Sequence, residues 1–190
     1  MTSTADRILD VTQELIQTQG FNAISFNHIA DQVGIRKPSI VHHFPTKAAL
    51  GSAVVKRYRE HMNSMAEQFF ASGAKTSRQA FDFYCLPFME FAATESKICL
   101  CGALGGEFFA LPEEMQQEVR AFFDHHQQML AQVFQQGQQQ GEIKKQDGPV
   151  ALAQLVVSAL QGALITQRAT GAPDQVANVV NALRSSIFTG

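Results

Sequence analysis

A chain of 190 residues, 45% hydrophobic and 17% charged, has apolar material for one or two buried cores and lacks the low-hydrophobicity composition of disordered proteins. Three cysteines, Cys85, Cys99 and Cys101, make no even secreted-type framework, so reduced thiols in the cytoplasm are expected. The formal net charge of −2 conceals an asymmetry: residues 1–60 hold seven Lys/Arg against five Asp/Glu and the remainder eight against twelve, so a nucleic acid, if bound, should meet the N-terminal part.

Taken in chain order, Ile8, Val11, Leu15 and Ile16 recur at helical spacing over residues 4–19, and Gly20 followed by Phe21 supplies a left-handed stop with an apolar follower. Ser25 is placed to cap a second helix through Val33, with Phe26, Ile29, Ala30 and Val33 inward and Gly34 as its end. Pro38 suits the first turn of a third helix that runs only to about Phe44 before Pro45. Thr46 then caps a long fourth helix starting at Lys47. Residues 77–94, 100–110, 112–136, 147–169 and 173–188 read as further helices, and no segment alternates like a strand. The glutamine-rich run from Gln135 to Glu142 reads as a frayed helix end and turn. The expected architecture is all-α with about nine helices, divided into residues 1–50 and 51–190.

Spacing within the first fifty residues favours a helix-turn-helix over an unrelated helical hairpin. Ala30 is the small residue at a helix crossing, Gly34 the turn glycine, and Ile40 the apolar residue inside the second helix of the pair. Arg36 and Lys37 stand at the positive end of the third helix and Lys47 at that of the fourth, where a cation is disfavoured by about 0.3–1 kcal/mol and a nearby phosphate removes the conflict. Ser39 and Thr46, with the free N–H groups around them, suit phosphate contacts that fix register. Outward positions of the third helix are Lys37, Ser39, Val41, His42 and His43. Arg36 or Lys37 can approach guanine, and Val41 a thymine methyl. His42 and His43 diverge by about 100° on a helix, which argues against one shared metal; no metal and no cofactor are expected.

The stretch "FNAISFNHIADQVGIRKPSIVHHFPTKAAL", with Gly20-Phe21, Ile29-Ala30 and a close relative of the signature YxHFxSKxxL, resembles the N-terminal domain of TetR-family transcriptional repressors. The resemblance is strong over about the first fifty-five residues, and the rest agrees in helix count and length only. It implies an all-α homodimer with a helical ligand-binding and dimerisation domain, bound to a palindromic operator on double-stranded DNA and released by a small-molecule effector. By position it assigns DNA contacts to Lys37, Ser39, Val41, His42, His43 and Lys47, and to Ser25, Asn27 and His28 at the second helix. Val41 stands where the family usually has tyrosine, a common phosphate contact, so an apolar base contact is expected there instead.

In the body, the tract from Val150 to Ile165 is apolar almost all round, broken by a narrow strip of Gln154, Ser158 and Gln161. Those polar breaks and its shortness argue against a membrane span, and no leader-like segment opens the chain. Burial on two sides is expected, with Leu152, Val156, Leu160 and Ala163 meeting Val176, Val180, Leu183 and Ile187 in both a core and a twofold interface; core alone is the competing reading. Among eleven phenylalanines in the middle of the chain, a few are expected to line an apolar effector cavity. Tyr84, Phe88, Glu107, Phe108, Phe122 and His126 are the candidates, with His125 a further guess at a polar anchor.

The segment "KICLCGALGGE" leaves two readings open. Cys99 and Cys101 are buried small hydrophobes, or one of them is an electrophile or redox sensor whose thiolate is favoured by Lys97 and a nearby helix start. An enzyme built on Cys99 or Cys101 with His125 or His126 is the rival class, but there is no nucleophile elbow, phosphate loop or metal-spaced His/Cys set to support it.

Overall fold

A computed structural model describes residues 3–73, 75–94, 96–145 and 147–189. Among these, nine α-helices and one short 3-10 turn run in the order α1 (Thr4–Gln19), α2 (Phe26–Val33), α3 (Lys37–His43), α4 (Lys47–Ala71), α5 (Ser77–Ala92), α6 (Leu100–Gly106), the turn Phe108–Ala110, α7 (Glu113–Gln140), α8 (Pro149–Thr170) and α9 (Gln175–Ile187). The only extended pairing among the described residues is an isolated antiparallel bridge between Ile143 and Phe188. The fold class is therefore all-α.

The chain forms two compact units. The first comprises Met1–Ala66 with Leu100–Phe122, and the second Glu67–Cys99 with Phe123–Gly190.

Local chemistry sets the boundaries in the first unit. Ser3 and Asp6 form a reciprocal cap at the start of α1, the Asp6 N–H donating to Ser3 Oγ over 3.1 Å and the Ser3 N–H to Asp6 Oδ2 over 3.2 Å. Gly20 ends α1 at φ 89° and Gly34 ends α2 in the left-handed region at φ 74°, conformations that favour glycine. Ile8, Ile16, Ile29, Ile40, Leu50, Leu100, Leu104 and Met115 fill the unit's core. Gly51 is required by close approach, because a side chain there would strike Met115 and Phe21. Arg59 pairs with Glu118 at 2.8 Å across the two chain segments that build the unit.

The second unit packs α5, α8 and α9 around Phe81, Phe134, Val156, Leu160 and Val176. The Ser77 hydroxyl donates to the Val133 carbonyl over 3.0 Å and its N–H to Glu142 over 2.7 Å, while Arg184 pairs with Asp82 at 2.8 Å.

Two expectations are corrected here. The glutamine-rich run is helical through Gln140 and turns only at Gly141, because glutamine is a good helix former and Gly137 lets α7 pack tightly on Ser77 and Ile143. The single helix expected over residues 100–110 is broken at Glu107, after the flexible pair Gly105-Gly106. Of the two-sided burial expected of α8, the single chain supplies one side: Ala153, Val156 and Leu160 are fully buried, whereas Val150, Leu155 and Ile165 are 59%, 51% and 48% exposed. By length and composition α8 is long and apolar enough to cross a membrane, and one face of it is buried in the unit's core.

Candidate nucleic-acid interface

The candidate interface comprises α2, α3 and the start of α4. Ile40 is the inward residue of α3 and is fully buried, which turns the remaining side chains of this seven-residue helix outward. Lys37, Val41, His42 and His43 are exposed, Val41 by 40%, and Ser39 is half-buried. The two imidazoles meet edge to face with ring centres 5.3 Å apart. Among the described residues no three His, Cys, Asp or Glu side chains converge on one point.

Beside this helix, Ser25 Oγ accepts the His28 N–H at 3.3 Å, fixing the start of α2 and leaving Asn27 and His28 exposed. Arg36 precedes α3 as an exposed residue in extended backbone with no capping side-chain bond. Thr46 Oγ1 accepts the Ala49 N–H at 3.0 Å at the start of α4. Arg7 reaches from α1 to donate to the Val33 carbonyl over 2.5 Å, pinning the end of α2 next to the turn. The structure thus places Asn27, His28, Lys37, Ser39, Val41, His42, His43 and Lys47 on three consecutive helices of one unit, with Ser25, Arg36 and Thr46 immediately before their starts.

Lys47 departs from a freely solvated cation. Its ammonium lies 4.4 Å from the centre of the Phe21 ring, a cation–π contact. Burial pulls its pKa below the ordinary lysine range, and the Glu107 carboxylate opposes that shift. The unfavourable cation at the head of α4 therefore has partners inside the protein as well as any phosphate outside it.

The chain matches the family model "Bacterial regulatory proteins, tetR family" over residues 8–54, and the model "Tetracyclin repressor-like, C-terminal domain" over residues 85–183, more than half of its length. It belongs to the TetR family. A curated relative, Transcriptional regulator AcuR of Cereibacter sphaeroides, is 25% identical over 163 residues, covering 85% of this chain and 74% of AcuR. Among solved structures, a TetR-family transcriptional regulator from Agrobacterium tumefaciens is 28% identical with a TM-score of 0.92, and one from Legionella pneumophila is 26% identical with a TM-score of 0.88. Each alignment covers 98% of both chains. The protein is accordingly a DNA-binding transcriptional regulator, and its family and structural neighbours are regulators rather than enzymes.

Within this TetR-family chain the expected effector residues separate. In the second unit, Tyr84, Phe88 and His126 come together: the Tyr84 ring is 5.6 Å from His126 and 5.8 Å from Phe88, and all three are buried. Burial and the neighbouring Cys99 and Cys85 thiols push the Tyr84 hydroxyl well above its ordinary pKa. The Cys85 thiol is pushed up to about 12 by burial and Asp82, with Arg184 opposing. His126 is lowered to about 4 by burial and by His125.

The other candidates belong to the first unit. Phe122 packs against Tyr58 at 5.7 Å, and Phe108 lies under the Arg120 guanidinium at 5.0 Å. Glu107 also lies there, both carboxylate oxygens engaged by the turn after α1 rather than offered to a ligand. Cys99 precedes α6 and Cys101 lies within it; they are 2% and 0% exposed, which gives the buried-hydrophobe reading its support and the sensor reading none.

All eight residues expected on the twofold interface are core within the single chain: Leu152, Val156, Leu160 and Ala163 of α8, and Val176, Val180, Leu183 and Ile187 of α9, none more than 6% exposed. The outward face of α8 is the opposite one, carrying Ala151, Leu155, Ser158, Ile165 and Ala169. The apolar count was legible in the sequence, but not which half of an almost uniformly apolar helix would turn inward. A further feature went unread: an open cleft of about 360 Å³ in the second unit, lined by Phe91, Thr94, Ser96, Lys97, Gln167 and Arg168 among others. Its lining residues come from the end of α5, the segment after it and the end of α8, a convergence that helical periodicity does not display.

Proposed function

We propose that this TetR-family regulator acts in the cytoplasm as a homodimeric repressor that binds a palindromic operator through α2, α3 and the start of α4. In this division of labour residues 1–50 read DNA, and residues 51–190 dimerise and receive a small, apolar effector that ends binding. The observation that carries the reading is the exposed surface of α3, where Lys37, Val41, His42 and His43 face outward around a fully buried Ile40. Such a helix suits the major groove, with cations supplying phosphate affinity and the short side chains around them available to base edges.

Dimerisation is supported by the unpartnered face of α8, where Leu155 and Ile165 stand half-exposed among Ala151, Ser158 and Ala169. Small and apolar side chains on one helical stripe allow close self-complementary packing about a twofold axis. A dimer of this kind presents its two recognition helices about 34–36 Å apart, one duplex turn, or a multiple of that spacing. The apolar effector reading is supported by the Tyr84, Phe88 and His126 cluster in the second unit, of which Phe88 and His126 fall within residues 85–183, the stretch matched by the family's C-terminal model.

The test is selection of bound duplexes from a random pool by the full chain. Recovery of an inverted repeat, with affinity falling steeply as salt rises, supports the dimeric operator reader. Recovery of a single non-repeated half-site would sink the palindrome and the dimer together.

A further inference from the structure

Glu107 is remote in sequence from the DNA-binding helices, yet it grips the turn that leads into them. Its carboxylate accepts the Phe21 N–H at 2.9 Å, the Asn22 N–H at 2.9 Å and the Asn22 side-chain amide at 2.5 Å. The contact is built on both sides. Gly20 has φ 89°, and any side chain there would strike the Glu107 carboxylate, so the glycine is what lets the acid reach the backbone.

What Glu107 holds bears directly on the candidate interface. Phe21 is buried, and the Lys47 ammonium rests 4.4 Å above its ring. The same turn delivers the chain to Ser25, the cap that sets the start of α2 and the placement of Asn27 and His28. Glu107 also faces Lys47 electrostatically. A lysine on a flexible stem loses conformational freedom whenever it is fixed on a phosphate, and a ring and a carboxylate that restrict it beforehand reduce that loss.

We infer that Glu107 is a positioning residue for DNA binding, acting through the α1–α2 turn and Phe21 to aim Lys47 at the duplex backbone. This rests on the assignment of Lys47 to a phosphate contact proposed above. A loop staple with no bearing on DNA would hold the turn equally well, so the test must read Lys47 and not only folding.

The experiment measures equilibrium binding of the full chain to its selected duplex over a range of salt concentrations, in a double-mutant cycle. Lys47→Ala alone is expected to lower the magnitude of the log–log salt slope by ~0.9, one phosphate contact. Glu107→Ala is expected to weaken binding about tenfold, the scale of a lost charge-assisted hydrogen bond, and to lower the slope similarly. In the Glu107→Ala background, replacing Lys47 should then cost little more. Glu107→Gln, which keeps one acceptor oxygen and the side chain's shape, should fall between parent and alanine and repeats the cycle if the alanine variant does not fold. Equal fold-losses from Lys47→Ala with and without Glu107 would overturn the inference, as would parent-like binding by Glu107→Ala. A parent slope that Lys47→Ala leaves unchanged would overturn the Lys47 assignment itself, and the inference with it.

Discussion

The Tyr84 and His126 rings lie 5.6 Å apart in the buried part of the second unit, a phenol beside an imidazole that burial keeps neutral. His126 is 3% exposed and its pKa is lowered to about 4, from an ordinary 6.5, by burial first and His125 second. Above pH 6.5 the imidazole is neutral both folded and unfolded. As pH falls below 6.5 the unfolded chain takes up a proton that the folded chain refuses until about pH 4, so stability declines through that window. The interval is worth ~3 kcal/mol at ~1.36 kcal/mol per pH unit. Denaturant unfolding between pH 7 and pH 4 should show this loss, and His126→Phe should flatten it. Equal acid sensitivity in parent and variant would mean that another group governs the decline.

Base reading and backbone anchoring should separate on α3 and α4. Lys47→Ala should weaken binding to every duplex by a similar factor, whereas His42→Ala should change the preference between bases at one or two positions, by ~1–3 kcal/mol. Competition binding against a panel of single-base variants of the selected site distinguishes the two. A uniform loss from His42→Ala, or a changed preference from Lys47→Ala, would reverse the roles given to them.

The outward face of α8 makes dimerisation testable without touching the core. Leu155 and Ile165 are about half exposed in the single chain, so Leu155→Glu with Ile165→Glu should leave the chain folded while placing like charges across a twofold contact. Light scattering is expected to give half the parent mass, with the inverted repeat bound no better than one half-site. A parent that is already monomeric at micromolar concentration would exclude this use of α8.

The three thiols should be silent in the folded protein. Cys85, Cys99 and Cys101 are all buried, and Cys85 has a pKa pushed up to about 12, which leaves very little thiolate near pH 8. A maleimide or aromatic disulfide should therefore label none of them in minutes at pH 8 and all three in denaturant. Rapid labelling of Cys99 or Cys101 in the folded state would revive a thiol sensor.

Where a boundary depends on local backbone chemistry, the sequence was a good guide. Gly20, Ser25, Gly34 and Thr46 each do what their residue type requires, and the burial of Ile29, Ala30, Val33 and Ile40 follows from their helical spacing. Features decided by distant packing were not legible. Gly137 looks like a helix stop until Ser77 and Ile143 are found against it. Glu107 reads as a candidate polar anchor for an effector in a phenylalanine-rich region, because its partners Phe21 and Asn22 lie 86 and 85 residues away. The outward side of α8 was not legible for a related reason: apolar periodicity counts faces but gives them no direction when nearly every face is apolar.

The first unit is assembled from two stretches of chain, Met1–Ala66 and Leu100–Phe122, and this has a practical consequence for hybrid regulators. A head transplanted on residues 1–54 alone would leave behind Met115, which packs against Gly51, and Glu107, which holds the turn before α2. A graft that keeps the first unit whole therefore takes two segments, the shorter one carrying the Glu107 contact to Phe21 and Asn22 and the Met115 side chain that meets Gly51.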